Sequence, residues 1–448
     1  MSHQDGPVPP MSFLFKEGLH TLGIRLVNMV FAAALGIMTA RLLGPEGRGV
    51  YALPIINSGF VVAFLGGLST ATSFMLLNKK YGRGVLRVAL QTSLLFFIAG
   101  AGVVTAIAFI AHQAWAALPA ALVLPSACAI SVATGYWFGV HRVQSANRLR
   151  LALTLVTLLL MTVGLIFIAR NPTVAITAWL GANLLVGGAT LLDVVLHARH
   201  LPADQVPFWP YFSFASKIGT IGIVQLLNLR ADIYVVALFT TPAALGIYGV
   251  AVAGAESLLI VTQVASVVTM PHIGSLDQEQ AALLTARCCR NNFMLAIVIC
   301  IGIIAAAPLL VGLLYGHAFS GAVLPLRVLL IGVAGTSLGG VISSFYTIQM
   351  GNPRVVLVVS GASAAACIIL SILLVPKMGI LGAAIGSTVA YIVAQIVTIS
   401  YFSRTARLPV WVVIFPQRED FEFYKGFLQK TAAGVRDYLA RRSGRSTK

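Results

Sequence analysis

Arg230, Asp232 and Glu256 are the charges lying deepest inside the long apolar runs of this 448-residue chain. Arg or Asp at the centre of a membrane helix costs roughly 2.5–3.5 kcal/mol on insertion scales, so such a group faces a cavity or a partner. Arg230 and Asp232 stand two residues apart on one helix. They project from nearly opposite faces and should not pair with each other. Arg230 with Glu256 is the expected pair. It serves either as a buried structural ion pair or as an anion-binding group with its counter-charge, and Glu256 and Asp232 are also the groups a coupling ion or proton would use. Arg25 sits about one turn inside the first apolar run, and Lys217 has a similar depth at the start of the seventh. A guanidinium can grip a phosphate-like anion with two hydrogen bonds or snorkel to lipid headgroups. Together the two cations would form a positively charged mouth. Asn28, Asn57, Gln225, Asn228, Gln263 and Gln349 add uncharged hydrogen-bonding groups within the runs. They suit either a polar substrate or bonding between helices.

The elements that carry these residues follow from composition. The hydrophobic fraction is 58%, the charged fraction 10% and the mean hydropathy +0.92. A soluble domain carries about 25% charged residues, so a soluble enzyme is excluded, along with a disordered chain or a small disulfide scaffold. The apolar runs are long and continuous, which excludes a membrane barrel of short alternating strands. An all-α membrane protein remains. Roughly 20 apolar residues are needed per span. That ruler places the first six spans near 21–42, 52–77, 86–111, 117–140, 150–169 and 174–197. The second six fall near 214–239, 244–270, 292–314, 324–349, 355–375 and 380–402. Pro119 and Pro125 make the fourth the weakest, and Pro54 and Pro308 are expected to kink their helices.

The formal net charge of +17 is read through the positive-inside rule, not as a sign of nucleic-acid binding. One set of alternate connections holds Lys16, Lys79, Lys80, Arg83, Arg87, Arg142, Arg148, Arg150, Arg199, Arg287, Arg290, Arg354, Arg404 and Arg407. The other set holds only Arg41, Arg48, Arg170 and Lys377. Both termini are therefore expected in the cytoplasm, the chain in a cell inner membrane, and every connection on the outer side is short. Residues 1–15 are polar and Pro-rich, so no signal peptide is expected. The five cysteines suggest neither disulfide nor metal site. Asp193, His197 and His200 share a helix face, but at its wet end, and are not read as a metal site.

His197–Trp209 is the longest break in the middle of the chain. It divides residues 1–197 from 214–403, with 198–213 as a cytoplasmic linker. Arg25-Leu26-Val27-Asn28 matches Gln225-Leu226-Leu227-Asn228 at an offset of 200, and Gly49-Val50-Tyr51 matches Gly246-Ile247-Tyr248 at 197. Six spans per half bring both halves into the membrane in the same orientation. The repeat axis and a central cleft then run along the membrane normal, the layout for rocking one lobe against the other.

Five stretches in order resemble one family. They are Ala40-Arg41-Leu42-Leu43-Gly44-Pro45-Glu46-Gly47-Arg48-Gly49-Val50-Tyr51; Leu227-Asn228-Leu229-Arg230-Ala231-Asp232-Ile233 with Leu245-Gly246-Ile247-Tyr248-Gly249; Leu314-Tyr315-Gly316-His317-Ala318-Phe319 with Pro325-Leu326-Arg327; Gly351-Asn352-Pro353; and Pro376-Lys377-Met378-Gly379-Ile380-Leu381-Gly382. Over about residues 15–420 the chain is similar to the polysaccharide transporter family of Wzx-like oligosaccharide flippases, within the multidrug, oligosaccharidyl-lipid and polysaccharide (MOP) exporter superfamily. The resemblance implies translocation of polyprenyl-diphosphate-linked oligosaccharide from the cytoplasmic to the outer leaflet for polysaccharide biosynthesis. Arg25, Lys217 and Arg230 would then meet the diphosphate, and Asn28 and Asn228 the sugar hydroxyls. Arg41 and Arg48, at the outer end, would either receive the headgroup or anchor the outer loop, with anchoring favoured. No cofactor is expected, and no ATP-binding motif is present. The nearest alternative is a cation-coupled multidrug exporter of the same superfamily. A membrane-embedded polymerase or glycosyltransferase would normally show a large outer loop or an acidic catalytic cluster, and the sequence has neither.

From Arg404 onward the tail (404–448) has 10 Lys/Arg against 4 Asp/Glu. Phe421, Tyr424, Phe427, Leu428, Val435, Tyr438 and Leu439 follow helical spacing. A basic amphipathic helix on the membrane surface is expected, which also offers a docking surface for polymerase or chain-length machinery.

The charge count generates a labelling test in intact cells. Gly82→Cys, Asn147→Cys and Gly351→Cys should be shielded from an impermeant thiol reagent, while Gly47→Cys, Asn171→Cys and Gly321→Cys should react. Reaction at Gly82→Cys would invert the topology.

Overall fold

The computed structural model describes residues 11–417, apart from 80, 111, 113, 203 and 353, and apart from the side chains of 11–22, 25, 260–275 and 348. The tail helix, the Arg25 side chain and the Gln263 side chain therefore lie outside the described residues. The described chain is helical, with no strand. Its helices are α1 (Met11–Leu77), α2 (Gly84–Ile110), α3 (Ala114–Leu122), α4 (Leu124–Gly139), α5 (Val143–Val163) and α6 (Pro172–Ala198), then α7 (Phe208–Phe239), α8 (Pro242–Ser275), α9 (Gln278–Leu314), α10 (Val323–Ser344), α11 (Arg354–Met378), α12 (Ile380–Ala406) and the short α13 (Val410–Ile414). Eleven helical stretches among the described residues are long and apolar enough to cross a membrane. α1 carries two of the twelve expected spans. It is one unbroken run except at Gly44, where φ is 69° and ψ −179°. Glycine enters that region without a Cβ penalty, and the following Pro45 disfavours helical dihedrals at position 44. The non-helical residue of α1 is thus Gly44, not Pro54, and α9 runs on through Pro308. The fourth span is a pair: α3 and α4 meet at Val123, with Pro125 in the first turn of α4.

Helix starts are marked as the sequence chemistry requires. The Asn171 carboxamide accepts from the Val174 N–H at 2.9 Å, with Pro172 at the first helical position of α6. Asp277 accepts from the Gln280 N–H at 2.8 Å ahead of α9. Large apolar side chains stand on the outside, including Phe109 (75% exposed) and Phe167 (79%). Acyl chains solvate such surfaces in a bilayer, and lipid does not penalise them as water would.

The chain forms two compact units. The first is Met1–Val250 with Leu309–Ala322 and Ser371–Ala383. Its centre is the second stretch of α1, on which α4 and α7 pack. The α1–α7 contact is made backbone to backbone. A Cβ on Gly219 would lie 2.5 Å from the Phe64 carbonyl oxygen, one on Gly222 would lie 2.5 Å from that of Ala63, and one on Gly67 would overlap the Ala215 carbonyl. Thr72 and Tyr211 share a buried hydrogen bond of 2.8 Å, and Phe74 stacks on Phe214 at 4.8 Å. The second unit is Ala251–Pro308 with Val323–Leu370 and Ala384–Lys448. There the Asn292 amide donates to the Ser337 carbonyl at 3.0 Å, Arg327 Nε donates to that of Ile304 at 3.0 Å, and Phe345 meets Phe402 edge to face at 5.3 Å.

The segment after α6 is clasped within the first unit. The Asp204 carboxylate accepts from the Gly82 N–H at 2.6 Å and the Gly84 N–H at 3.0 Å, while the Arg83 N–H donates to the Pro202 carbonyl at 3.0 Å. Hydrogen bonds to a charged acceptor contribute about 1.5–3 kcal/mol. Asp204→Ala should therefore lower thermal stability in detergent by about that amount, with a smaller loss for Asp204→Asn, which keeps an acceptor oxygen. Equal melting of Asp204→Ala and the parent would remove the clasp from the stability account.

Candidate functional site

α7 presents a polar face where a membrane helix would normally be apolar. Ser213, Lys217 and Thr220 recur at i, i+4 and i+7, and all three are exposed on the first unit. Lys217 has no acidic partner within salt-bridge distance among the described residues. A face of this kind is stable in a bilayer only against water or a polar ligand.

Farther along, α7 breaks. Arg230 has φ −138° and ψ 15°, outside the helical region. The break turns the chain so that Asp232 points inward, where it is 2% exposed. Its Oδ1 accepts from the Ile233 N–H at 2.8 Å, and its Oδ2 accepts from the Tyr248 hydroxyl of α8. The carboxylate is thereby tied to the first turn beyond the break. Tyr234 follows, with its ring 4.0 Å from that of Phe60 and its hydroxyl 2.6 Å from where a Cβ on Gly59 would stand.

Two carboxamides flank this break. Asn57, on α1 two residues before Gly59, is 3% exposed. Asn228 lies two residues before Arg230. Asn57 Nδ2 and Asn228 Oδ1 are both buried and make no hydrogen bond within the structure. Leaving such an atom unsatisfied costs about 1–3 kcal/mol, so a water molecule or a substrate group is called for at both. Asn57 is a residue the sequence left among generic polar groups. Its only signal was an amide in an apolar run.

The other expected residues are placed as follows. Asn28 Oδ1 accepts from the Thr154 hydroxyl of α5 at 2.7 Å, a bond between helices. Arg230 is half-buried in the first unit, and Glu256 is half-buried in the second. Arg41 Nε donates to the Leu314 carbonyl at 2.8 Å, and its Nη2 donates to that of Leu313. It therefore anchors the end of α9, as a cation at a helix C-terminus should. The Arg48 guanidinium lies 5.5 Å from the Tyr315 ring centre and 5.9 Å from that of Phe319. His197 Nδ1 is 3.1 Å from Asp193 on the surface. No cluster of three metal-ligating side chains occurs among the described residues.

This arrangement of helices is shared with solved membrane transporters. The chain is similar to a multidrug resistance MATE family transporter of the MOP superfamily, with TM-score 0.65, 16% identity, and coverage of 86% of this chain and 98% of that one. It is similar to the lipid II flippase MurJ, with TM-score 0.64, 13% identity, and coverage of 86% and 88%. It is also similar to the Vibrio cholerae MATE transporter VcmN, with TM-score 0.57, 14% identity, and coverage of 90% and 99%. The fold is that of the MOP superfamily, and the chain is a multi-pass membrane protein. Residues 38–324 match the family described as "Polysaccharide biosynthesis protein". That is well over half of the chain, which belongs to this family. No curated protein sequence matches it.

The Asp232–Tyr248 bond yields a stability test. Tyr248→Phe removes a hydroxyl donor from a buried carboxylate and should cost about 1.5–3 kcal/mol, read as a lowered melting temperature. Asp232→Asn with Tyr248→Phe should recover part of the loss, because the charge that needed the donor is gone. A double variant no better than Tyr248→Phe would count against this coupling.

Proposed function

We propose that the chain is a flippase. It moves polyprenyl-diphosphate-linked oligosaccharide from the cytoplasmic to the outer leaflet of the inner membrane, by alternating access, for polysaccharide biosynthesis. Membership of a polysaccharide biosynthesis family supports the pathway, and the transporter fold supports the transport step. The observation that carries the reading is the polar face of α7, with Lys217 exposed on it, together with the buried, unsatisfied Asn228 Oδ1 before its break and Asn57 Nδ2 on α1.

A diphosphate headgroup enters at the cytoplasmic mouth between Arg25 and Lys217 and is received farther in by Arg230. Sugar hydroxyls replace the missing partners of Asn57 and Asn228. Asn28 joins them only by giving up its bond to Thr154. Asp232 and Glu256 are the counter-charges, or the sites of a coupling ion. The membrane lipids and the polysaccharide polymerase or chain-length machinery are its partners, and both termini face the cytoplasm. A cation-coupled drug exporter is the second reading, favoured by the buried Asp232 carboxylate.

The cationic mouth and the deep arginine can be tested together. Arg25→Ala and Lys217→Ala should lower export at normal protein levels, with lipid-linked oligosaccharide accumulating in the cytoplasmic leaflet. Breaking a buried ion pair costs about 3–5 kcal/mol, whereas replacing both partners is often mild. If Arg230 and Glu256 were purely structural, Arg230→Met with Glu256→Met would restore both abundance and export. The flippase reading expects restored abundance without export, and partial export from Arg230→Lys. Full export by the double-Met protein would remove Arg230 from the site.

A further inference from the structure

α5 carries a polar stripe that the site described above does not use. Asn147, Arg150, Thr154 and Thr157 recur at i, i+3, i+7 and i+10, the spacing of one helix face. Asn147 is 4% exposed and Thr157 6%, whereas Arg150 is exposed. Two hydrogen bonds fix how α5 lies on α1. The Thr154 hydroxyl donates to Asn28 Oδ1 at 2.7 Å, and the Thr162 hydroxyl donates to the Met38 sulfur at 3.2 Å. The partners are 126 and 124 residues apart. A near-constant separation means that the two helices run side by side in the same direction. Position 25 comes one turn before Asn28, and Arg150 comes one turn before Thr154. They are 125 residues apart and therefore share a level. Both lie within the first compact unit.

We propose that Arg150 is a phosphate-binding residue, and that the phosphate of a lipid headgroup is held between α1 and α5 at the level of Arg25. In the sequence Arg150 is one cation among those of the charge-rich connections, and nothing separates it from Arg148. The structure separates them. Thr154, on the stripe, meets α1, and Arg150 is on the same face one turn earlier. Arg148 is two residues from Arg150 and projects from nearly the opposite face. Cations brought to one level on adjacent helices repel each other. The sequence offers few counter-charges here: between residues 18 and 192 the one acidic residue is Glu46, beyond the other end of this stretch of α1. An anion shared by the two helices relieves the repulsion. The planar fork of a guanidinium matches phosphate oxygens, and an exposed Arg150 is reached without displacing packed groups. The proposal deepens the flippase reading by adding α5 to the entry assigned above to Arg25 and Lys217. It rests on that reading only for the source of the phosphate, which is the cargo diphosphate or an ordinary phospholipid.

Arg148 is the control, because a cation that merely marks the charge-rich side would behave as Arg150 does. The full chain in nanodiscs of zwitterionic lipid is titrated with a fluorescent polyprenyl diphosphate that carries no sugar. Arg150→Gln should weaken binding about tenfold or more, while Arg148→Gln should bind as the parent does, with equal melting temperatures for all three. Should Arg150→Gln fold poorly, Arg150→Lys decides: it keeps the charge and loses the fork, so its affinity must still fall. Phosphatidylglycerol added to the nanodiscs identifies the source. Cargo is the source if the parent keeps its affinity, and phospholipid is the source if phosphatidylglycerol competes in the parent but not in Arg150→Gln. Parent-like affinity in a folded Arg150 variant, or equal losses in Arg150→Gln and Arg148→Gln, would overturn the site. A parent that binds phosphatidylglycerol through Arg150 but no polyprenyl diphosphate would sink the flippase reading and leave the site standing. A parent that binds neither overturns both.

Discussion

Where two helices cross inside a bilayer there is no hydrophobic drive between them, because lipid tails are as apolar as leucine. Association rests on close van der Waals contact, and that requires small residues at the crossing. Everything in the first unit depends on how α1 meets α7 under this constraint. Gly67, Gly219 and Gly222 let carbonyl oxygens of one helix sit where a Cβ of the other would be. With α7 pressed that closely against α1, Tyr211 reaches Thr72 and Phe214 stacks on Phe74. The same approach fixes the depth at which the break in α7 lies relative to α1. Gly222 faces Ala63, and Tyr234 faces Gly59. Asn57, two residues before Gly59, therefore lies near the stretch of α1 that Tyr234, beyond the break, reaches, although 173 residues separate it from Arg230 in sequence.

A helix break inside a membrane is tolerated only where its freed backbone groups are satisfied or face a wet cavity. The break at Arg230 meets this requirement unevenly. On the far side the Asp232 carboxylate takes the Ile233 N–H and is itself held by Tyr248. On the near side are Asn228 and, on α1, Asn57, each with a buried atom that no described residue satisfies. A chain selected for stability alone would have no reason to keep both. These two buried, unsatisfied atoms are the physical content of the proposal that something polar is bound there.

Much of this was legible in the sequence, and what was not has a common cause. Apolar run length placed the spans, because the bilayer sets that length independently of tertiary contact. The sequence also pointed to Arg230 and Asp232, but by treating both as positions on one regular helix it did not anticipate the break at Arg230. The break in α1 falls at Gly44, inside the connection expected between the first two spans, and α1 stays helical through Pro54. Proline can remain within a membrane helix when neighbouring groups compensate, whereas a glycine followed by proline leaves helical dihedrals at little cost. Asn28 and Asn57 looked alike in sequence. One proved to be bonded to Thr154 across a helix contact and the other to be orphaned. Only packing across distant segments distinguishes them, and a single sequence does not encode which residue lies opposite.

The same argument separates the cations. Arg41 and Arg48 stand seven residues apart around the Gly44 turn, and both lack a carboxylate partner among the described residues. Arg41 spends its charge on the carbonyls that end α9, where the helix dipole is negative. Arg48 spends its own on two aromatic faces. Lys217 has neither carbonyl nor ring to satisfy it, and it stands exposed on a polar face in a helix long enough to cross the membrane. A cation in that position needs water or lipid headgroups within its reach. On the flippase proposal a hydrated space beside it would lead toward the buried Asn57 and Asn228 amides, and such a space would attract an anionic headgroup carrying hydroxyls and exclude a purely apolar one. On the proposed reading, that combination would be why the cargo is an oligosaccharide-bearing diphosphate and not a lipophilic cationic drug.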